Sequence, residues 1–258
     1  MALFNDGTIA SQEDLRAYES SVLEMASTEG VDLTAKRELA QRELAVEIVR
    51  VLTELTAVDT APPAVALDQV VVTEPMRQWH ATQTLTLSYR DAFHNQLNDR
   101  YESKWKEYER QSGFKAAQLF ETGLGIAIAP IGKAAAPATI AAPGILANGV
   151  YEIRVTWQNA SGQEGAPSER VLFASNNGEV PAVTVGAAPS GAVSWNVYAA
   201  PLDGISTKQN TVALGIGETW TMPAAGLLPG TPLPEGQSPD YYLRQVNYVR
   251  QSNAVRKG

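Results

Sequence analysis

The period of the apolar residues changes once along this chain, and that change constrains the fold more than any other feature. From Tyr151 to Trp157 the odd positions Tyr151, Ile153, Val155 and Trp157 are large and apolar while Glu152, Arg154 and Thr156 are polar. This is the two-residue period of a strand with one buried face. Val193, Trp195 and Val197 repeat it, and the runs 180–185, 211–214 and 218–222 predict further short strands. Between them stand Asn176-Asn-Gly178, Pro189-Ser-Gly191, Asp203-Gly204 and Gly215-Ile-Gly217, residues that turns require.

The first half follows the helical period instead. Leu15, Tyr18, Val22 and Met25 recur at three and four residues within 10–28 and stop at Glu29-Gly30, as one amphipathic helix with a glycine end would. Asp32 is placed to cap a second helix carrying Ala40, Leu44, Ile48, Val51 or Leu52, and Leu55, before Pro62-Pro63 breaks the pattern. After the β-prone Val70-Val-Val72, Thr73-Glu-Pro75 predicts a helix start, with the threonine hydroxyl accepting an orphan backbone N–H. Leu85, Tyr89, Phe93, Leu97, Tyr101, Trp105 and Tyr108 then step almost every four residues. A strict four-residue step drifts by roughly 40° per step around a 3.6-residue helix, so a bend or break is expected near Asn98-Asp-Arg100. Aromatics this dense predict a core or a subunit interface over Tyr89, Phe93, Leu97, Tyr101, Trp105 and Tyr108.

The expected fold is thus a multidomain α and β protein, an N-terminal α-helical bundle followed by an antiparallel immunoglobulin-like β-sandwich. The boundaries are a helical bundle over 1–123, an Ala/Pro/Gly-rich linker over 124–149, the sandwich over 150–240 and a basic tail over 241–258. The tail either packs on the helical domain, making the sandwich an insertion, or meets a partner. The net charge of −8 is uneven, because the tail carries Arg244, Arg250, Arg256 and Lys257 and no acid. An acidic body argues against a general nucleic-acid binder and suits a tail that docks on an acidic protein surface.

Catalytic chemistry finds little support. The chain has no cysteine, which excludes disulfides, thiolate metal sites and a cysteine nucleophile, and its two histidines, His80 and His94, fall in the helical half. No G-x-S-x-G elbow or D-x-D-x-D-G calcium loop occurs. Gly123-Leu-Gly125 lacks the third glycine of a dinucleotide fingerprint, and Gly132-Lys133 lacks the rest of a phosphate loop. Glu152, Glu164, Glu169 and Asp203 are the candidate carboxylates, read as solvated acids. The segment GQEGAPS, 162–168, is read as turn structure between neighbouring strands. The expectation is a protein that is not an enzyme, with no cofactor and no metal. The N-terminus lacks the pattern of a signal peptide, and no apolar run of membrane-spanning length is present.

Two regions carry a resemblance. YEIRVTWQNASGQEGAPSE, WNVYAAPLDGISTKQN, GETWTMPAAGLLPG and PEGQSPDYYLRQ resemble the immunoglobulin-like or fibronectin-III-like module of tailed-bacteriophage virion proteins. SYRDAFHNQLNDRYESKWKEYERQS resembles the helical part of phage head-to-tail adaptors, the neck or connector proteins that join portal to tail. The resemblance implies a structural virion protein at the portal vertex, assembled in the host cytoplasm as a homo-oligomeric ring, usually of twelve subunits. Its implied partners are the portal protein, a tail or nozzle protein and, through the immunoglobulin-like domain, the capsid. Genomic DNA would pass through the channel without specific binding. The segment Tyr241, Tyr242, Leu243, Arg244, Val246, Tyr248, Val249, Arg250, Arg256 and Lys257 matches the position of the family's portal-docking segment. Adaptors without a sandwich are shorter, so the alternative is a tail or head-fibre component whose immunoglobulin-like domain binds capsid or host cell surface.

Overall fold

Helices come first and antiparallel sheets follow, in a computed structural model that describes residues 2–56, 65–96, 99–176, 178–223 and 226–244. The chain divides into two compact units. One combines residues 7–126 with 239–244, and the other combines residues 2–6 with 127–238.

The helical unit holds α1 (Gln12–Tyr18), α2 (Val22–Glu29), α3 (Leu33–Thr56), α4 (Glu74–Gln96) and α5 (Glu102–Thr122). The single helix expected over 10–28 is therefore two. Ser11 and Asp14 start α1 with reciprocal side-chain-to-backbone bonds. The chain then breaks at Glu19, whose carboxylate turns inward and accepts from Lys104 and from the Tyr108 hydroxyl at 3.1 Å, so tertiary bonds override the helical spacing. Gly30, at φ 66°, ends α2 as an αL residue. Asp32 Oδ1 accepts from the N–H groups of Thr34 and Ala35 at 2.8 and 3.1 Å, the expected cap of α3.

Helix α4 is central and touches α1, α2, α3 and α5. Thr82, Thr84, Thr86 and Ser88 are all buried on it. Each donates its hydroxyl to a carbonyl four residues back in the same helix, at 2.8 to 3.0 Å. Thr73 does not supply the cap expected of it. Its carbonyl accepts the N–H of Arg77, but its buried hydroxyl has no partner. The expected break is found between α4 and α5, where a 3₁₀ turn spans Asp99–Tyr101. A small antiparallel sheet in the order β1 (Val70–Val71), β2 (Leu124–Ile126), β11 (Tyr241–Leu243) completes the unit.

The β unit carries β3 (Ala138–Ala142), β4 (Gly149–Asn159), β5 (Val171–Ser175), β6 (Val180–Thr184), β7 (Ala192–Pro201), β8 (Thr207–Lys208), β9 (Leu214–Gly215) and β10 (Trp220–Thr221). One sheet runs β10-β6-β3, the other β5-β4-β7-β8 with β9 also on β7, and every pairing is antiparallel. The two sheets share one core, in which Ile153, Val155, Trp157, Trp195 and Val197 of the larger sheet meet Val180, Val183 and Trp220 of the smaller. The odd residues of β4 point inward as their alternation predicts.

Two expectations change. The stretch 124–149, expected as a linker, holds β2 and β3, because an uncharged Ala/Ile/Thr run serves as well for a strand as for a connection. The strand expected over 211–214 shrinks to β9. Upstream of it the Asn210 side chain, in place of backbone, accepts the Val197 N–H at 2.9 Å.

Candidate functional site

Of the residues assigned to docking and to the aromatic stripe, those that the structure describes fall in the helical unit. Tyr241, Tyr242 and Leu243 form β11, which pairs with β2 in the register Tyr241↔Ile126, Tyr242↔Gly125, Leu243↔Leu124. The Asp240 N–H donates to the Ile126 carbonyl at 2.8 Å, and Arg244 Nε donates to the Thr122 carbonyl at 3.2 Å. That carbonyl lies in the last turn of α5, where a cation meets the negative end of the helix dipole. The start of the presumed tail is thus an edge strand tied to the helical unit, with Tyr242 half exposed. Val246, Tyr248, Val249, Arg250, Arg256 and Lys257 lie outside the described residues.

Gly123-Leu-Gly125 has its explanation here. A Cβ on Gly125 would sit 2.7 Å from Pro239 Cγ, and one on Gly123 would sit 3.0 Å from Arg244 Cγ. Gly123 also ends α5 at φ 109°. Two glycines let the returning strand lie against β2. The sequence showed the pair but not its use, since the strand it accommodates is more than a hundred residues away.

The aromatic stripe folds back on itself. With α4 and α5 antiparallel across the break, Tyr89 stacks on Tyr108 at 5.6 Å and Phe93 on Trp105 at 5.7 Å, while Tyr101 lies 6.0 Å from Tyr89. Tyr89, Tyr101 and Tyr108 are buried, and Phe93 and Trp105 are packed against the same core. Leu97 lies outside the described residues. The stripe is the interior of a helical hairpin, which leaves little of it to meet another subunit.

Beneath the aromatics sits a polar centre absent from the sequence reasoning. Glu19 is buried, and its carboxylate accepts from the Tyr108 hydroxyl at 3.1 Å, from Lys104 and from Ser21. Burial alone would raise its pKa, but the bonds from Lys104, Ser21 and Tyr108 hold it below the usual carboxylate value. Burial and the Glu19 charge push the Tyr89 phenol up to about 12 and raise Tyr108 as well. His80 is a second such centre. Its Nδ1 accepts the Ala10 N–H at 3.2 Å, so Nε2 carries the proton and donates to the Arg37 carbonyl at 3.0 Å. Burial drives this ring down to about 4, which keeps it neutral. Both centres hold elements together, Glu19 joining α5 to the α1–α2 break and His80 joining the Ala10 N–H to α3.

In the β unit, 162–168 is the return leg of the β4–β5 hairpin. Gly162, at φ 81°, closes the turn, and the N–H groups of Gly165 and Ser168 donate to the carbonyls of Trp157 and Val155 at 2.9 Å. Glu164 accepts from the Thr156 hydroxyl and from Tyr198 at 2.8 Å and faces Lys208 at 3.5 Å. It borders an open cleft of about 350 Å³ with Gln163, Tyr198, Pro232 and Pro234. Of the other candidate carboxylates, Glu152 pairs with Arg170 at 2.8 Å, Glu169 pairs with Lys133, and Asp203 sits in a turn at φ 63°. Among the described residues no three His, Asp or Glu side chains are grouped to hold a metal, and no helix is long and apolar enough to cross a membrane. No protein-family model matches the chain, and no curated protein or solved structure matches it either.

Proposed function

We propose that this chain is a structural virion protein, a head-to-tail adaptor of a tailed bacteriophage that binds the portal and connects the DNA-filled head to the tail. The return of the chain to the helical unit carries this reading. After the β unit, β11 is fastened to β2 and Arg244 to the end of α5. The basic segment from 245 on, with Arg250, Arg256 and Lys257, therefore starts from an anchored point on the helical unit. A short basic segment on a fixed base suits docking on a partner's acidic surface, because the anchor limits the entropy lost on binding. The acidic remainder of the protein suits a channel through which DNA passes without adhering. In this reading the two sheets around one core are an immunoglobulin-like sandwich inserted into the adaptor, and the protein works as a ring without cofactor or catalysis.

Deleting 245–258 tests the reading while leaving β11 in place. The shortened chain keeps the circular dichroism and thermal midpoint of the full chain but fails to join portal-bearing heads to tails in an in vitro assembly assay. Normal joining by the shortened chain overturns the docking role.

A further inference from the structure

The face of the larger sheet that alternation turns away from the core should meet water, yet Thr156 and Tyr198 on that face are buried. Two loops run beside them. The return leg 162–168 bridges β4 at Gln158↔Glu164, and the segment 231–238 bridges β8 at Thr207↔Pro232. Between these loops the cleft of about 350 Å³ stays open, with Gln163, Pro232, Pro234 and Ser238 around Glu164 and the buried Tyr198.

The walls of the cleft are fixed before anything binds. The Lys208 N–H donates to the Thr231 carbonyl at 2.9 Å and the Leu233 N–H to the Ser206 carbonyl at 3.0 Å. Gln237, 1 % exposed, accepts the Ile131 N–H at 3.0 Å and donates to the Ala129 carbonyl at 2.9 Å and to Gln163 Oε1 at 2.7 Å, which ties one loop to the other. A preformed cleft with a few placed polar groups is the usual form of a small-molecule site.

Those polar groups are unequally used. Glu164 Oε2 already accepts from the hydroxyls of Thr156 and Tyr198. Glu164 Oε1 has only Lys208 Nζ, at 3.5 Å, which is too long for a good hydrogen bond. Both side chains are mostly buried, 15 and 22 % exposed, so a charged pair drawn out of water is left short of hydrogen bonds. The result is an open acceptor beside an open donor, with no net charge.

We propose that this cleft binds a neutral saccharide through neighbouring hydroxyls of a pyranose ring. A hydroxyl donates and accepts at once. One sugar hydroxyl gives its hydrogen to Glu164 Oε1 and accepts from Lys208 Nζ, completing the contact that is too long without it. The next gives its hydrogen to the phenol oxygen of Tyr198, whose own hydrogen is engaged by Glu164. Pro232 and Pro234 offer C–H surface to the apolar face of the ring. Charge selects the same class, because an anion meets Glu164 and a cation meets Lys208, and each would have to break a pair already made. The site lies wholly within the β unit, so it does not rest on the adaptor reading, and removing 245–258 leaves it in place.

The test uses the full-length protein and saturation-transfer NMR. Methyl glucoside, methyl galactoside and methyl mannoside are the neutral probes, glucose phosphate and glucosamine the charged ones, and cyclohexanol the ring without neighbouring hydroxyls. At least one neutral glycoside binds with a Kd of about 1–10 mM, and cyclohexanol and the charged sugars bind about tenfold or more weakly. Lys208→Met and Glu164→Gln each weaken the neutral glycoside by about tenfold, while Val212→Ser, exposed elsewhere, keeps the wild-type affinity. Glu164 also holds Thr156 and Tyr198, so Lys208→Met, shown by circular dichroism to fold as the wild type does, decides the matter where Glu164→Gln does not fold. Neutral glycosides that bind no better than cyclohexanol or than the charged sugars, or a Lys208→Met chain with wild-type affinity, would overturn the assignment.

Discussion

Thr84 in the helical unit and Asn210 in the β unit are both buried polar side chains, and they are satisfied over different distances along the chain. Thr84 donates its hydroxyl at 2.8 Å to the His80 carbonyl, one helical turn away. Asn210 accepts from the Val197 N–H at 2.9 Å and donates to Asn196 Oδ1 at 2.8 Å and to the Val212 carbonyl at 2.9 Å. Three neighbours of Thr84 along α4 follow its rule, while Thr156, Glu164 and Tyr198 of the β unit follow the other, each reaching between strands or from strand to loop. A local bond forms with its helix and asks nothing of the tertiary fold. A bond between strands exists only once the sheet is assembled, so losing one partner strands the other in a dry interior.

The largest expected effect therefore belongs to Asn210. Asn210→Ala leaves the Val197 N–H and Asn196 Oδ1 without partners in residues that are fully buried. Two stranded groups cost about 2–5 kcal/mol together, which is a large fraction of the stability of an ordinary domain. Chemical denaturation followed by tryptophan fluorescence reads the loss, since four of the five tryptophan positions expected to report most directly, Trp157, Trp195, Trp220 and Trp79, are buried. A midpoint unchanged from wild type would mean that the network between the strands is no more demanding than the helix-local one.

His80, like Glu19, departs from the local rule within the helical unit, because its partners Ala10 and Arg37 are distant in sequence. Burial is the main cause of its depressed pKa of about 4. The Arg37 charge adds to that, and the Asp14 charge and the bond to the Arg37 carbonyl oppose it. The folded chain thus binds fewer protons than the unfolded chain between pH 4 and the ordinary histidine value near 6.5. Its contribution is complete above about pH 6.5 and is lost as pH falls toward 4, by up to about 3 kcal/mol. Glu19 has a lowered pKa and loses its own contribution at lower pH, below the ordinary carboxylate range, so the interval from pH 6.5 to 4.5 isolates His80. Urea unfolding at steps across that interval should show falling stability in wild type and a flatter profile in His80→Gln. Equal slopes in the two chains would remove His80 as the cause.

The same contrast explains what could be read in the sequence. The strands β4 and β7 were legible because Tyr151, Ile153, Val155 and Trp157, and then Trp195 and Val197, carry the burial themselves. The Asp32 cap and the Gly30 stop were legible because their causes lie within a few residues. The break at Glu19 was not, because Lys104 and Tyr108 supply the partners from the far end of the unit. Likewise β3 hid in an apparent linker, and Gly123 and Gly125 gained meaning only when residues 239–244 came back to them. The aromatic stripe announced a core, but its spacing alone did not show that its two halves stack on each other.

Helix α4 shows how local satisfaction hides burial from a reader of sequence. A helix enclosed by four others is expected to be apolar all round, yet Thr82, Thr84, Thr86 and Ser88 alternate with its apolar residues and suggest a solvent face. Their hydroxyls are acceptable inside because each returns to its own helix. Thr84→Val tests this at the smallest expected effect. The His80 carbonyl keeps a place in the helical ladder without the hydroxyl, the side chain keeps its branched shape, and no distant donor or acceptor is orphaned. The change in unfolding free energy should stay within about 1 kcal/mol, measured by the same denaturant midpoint as Asn210→Ala. A loss as large as that of Asn210→Ala would show that the hydroxyl serves a neighbouring helix after all, and the distinction between the two units would fall with it.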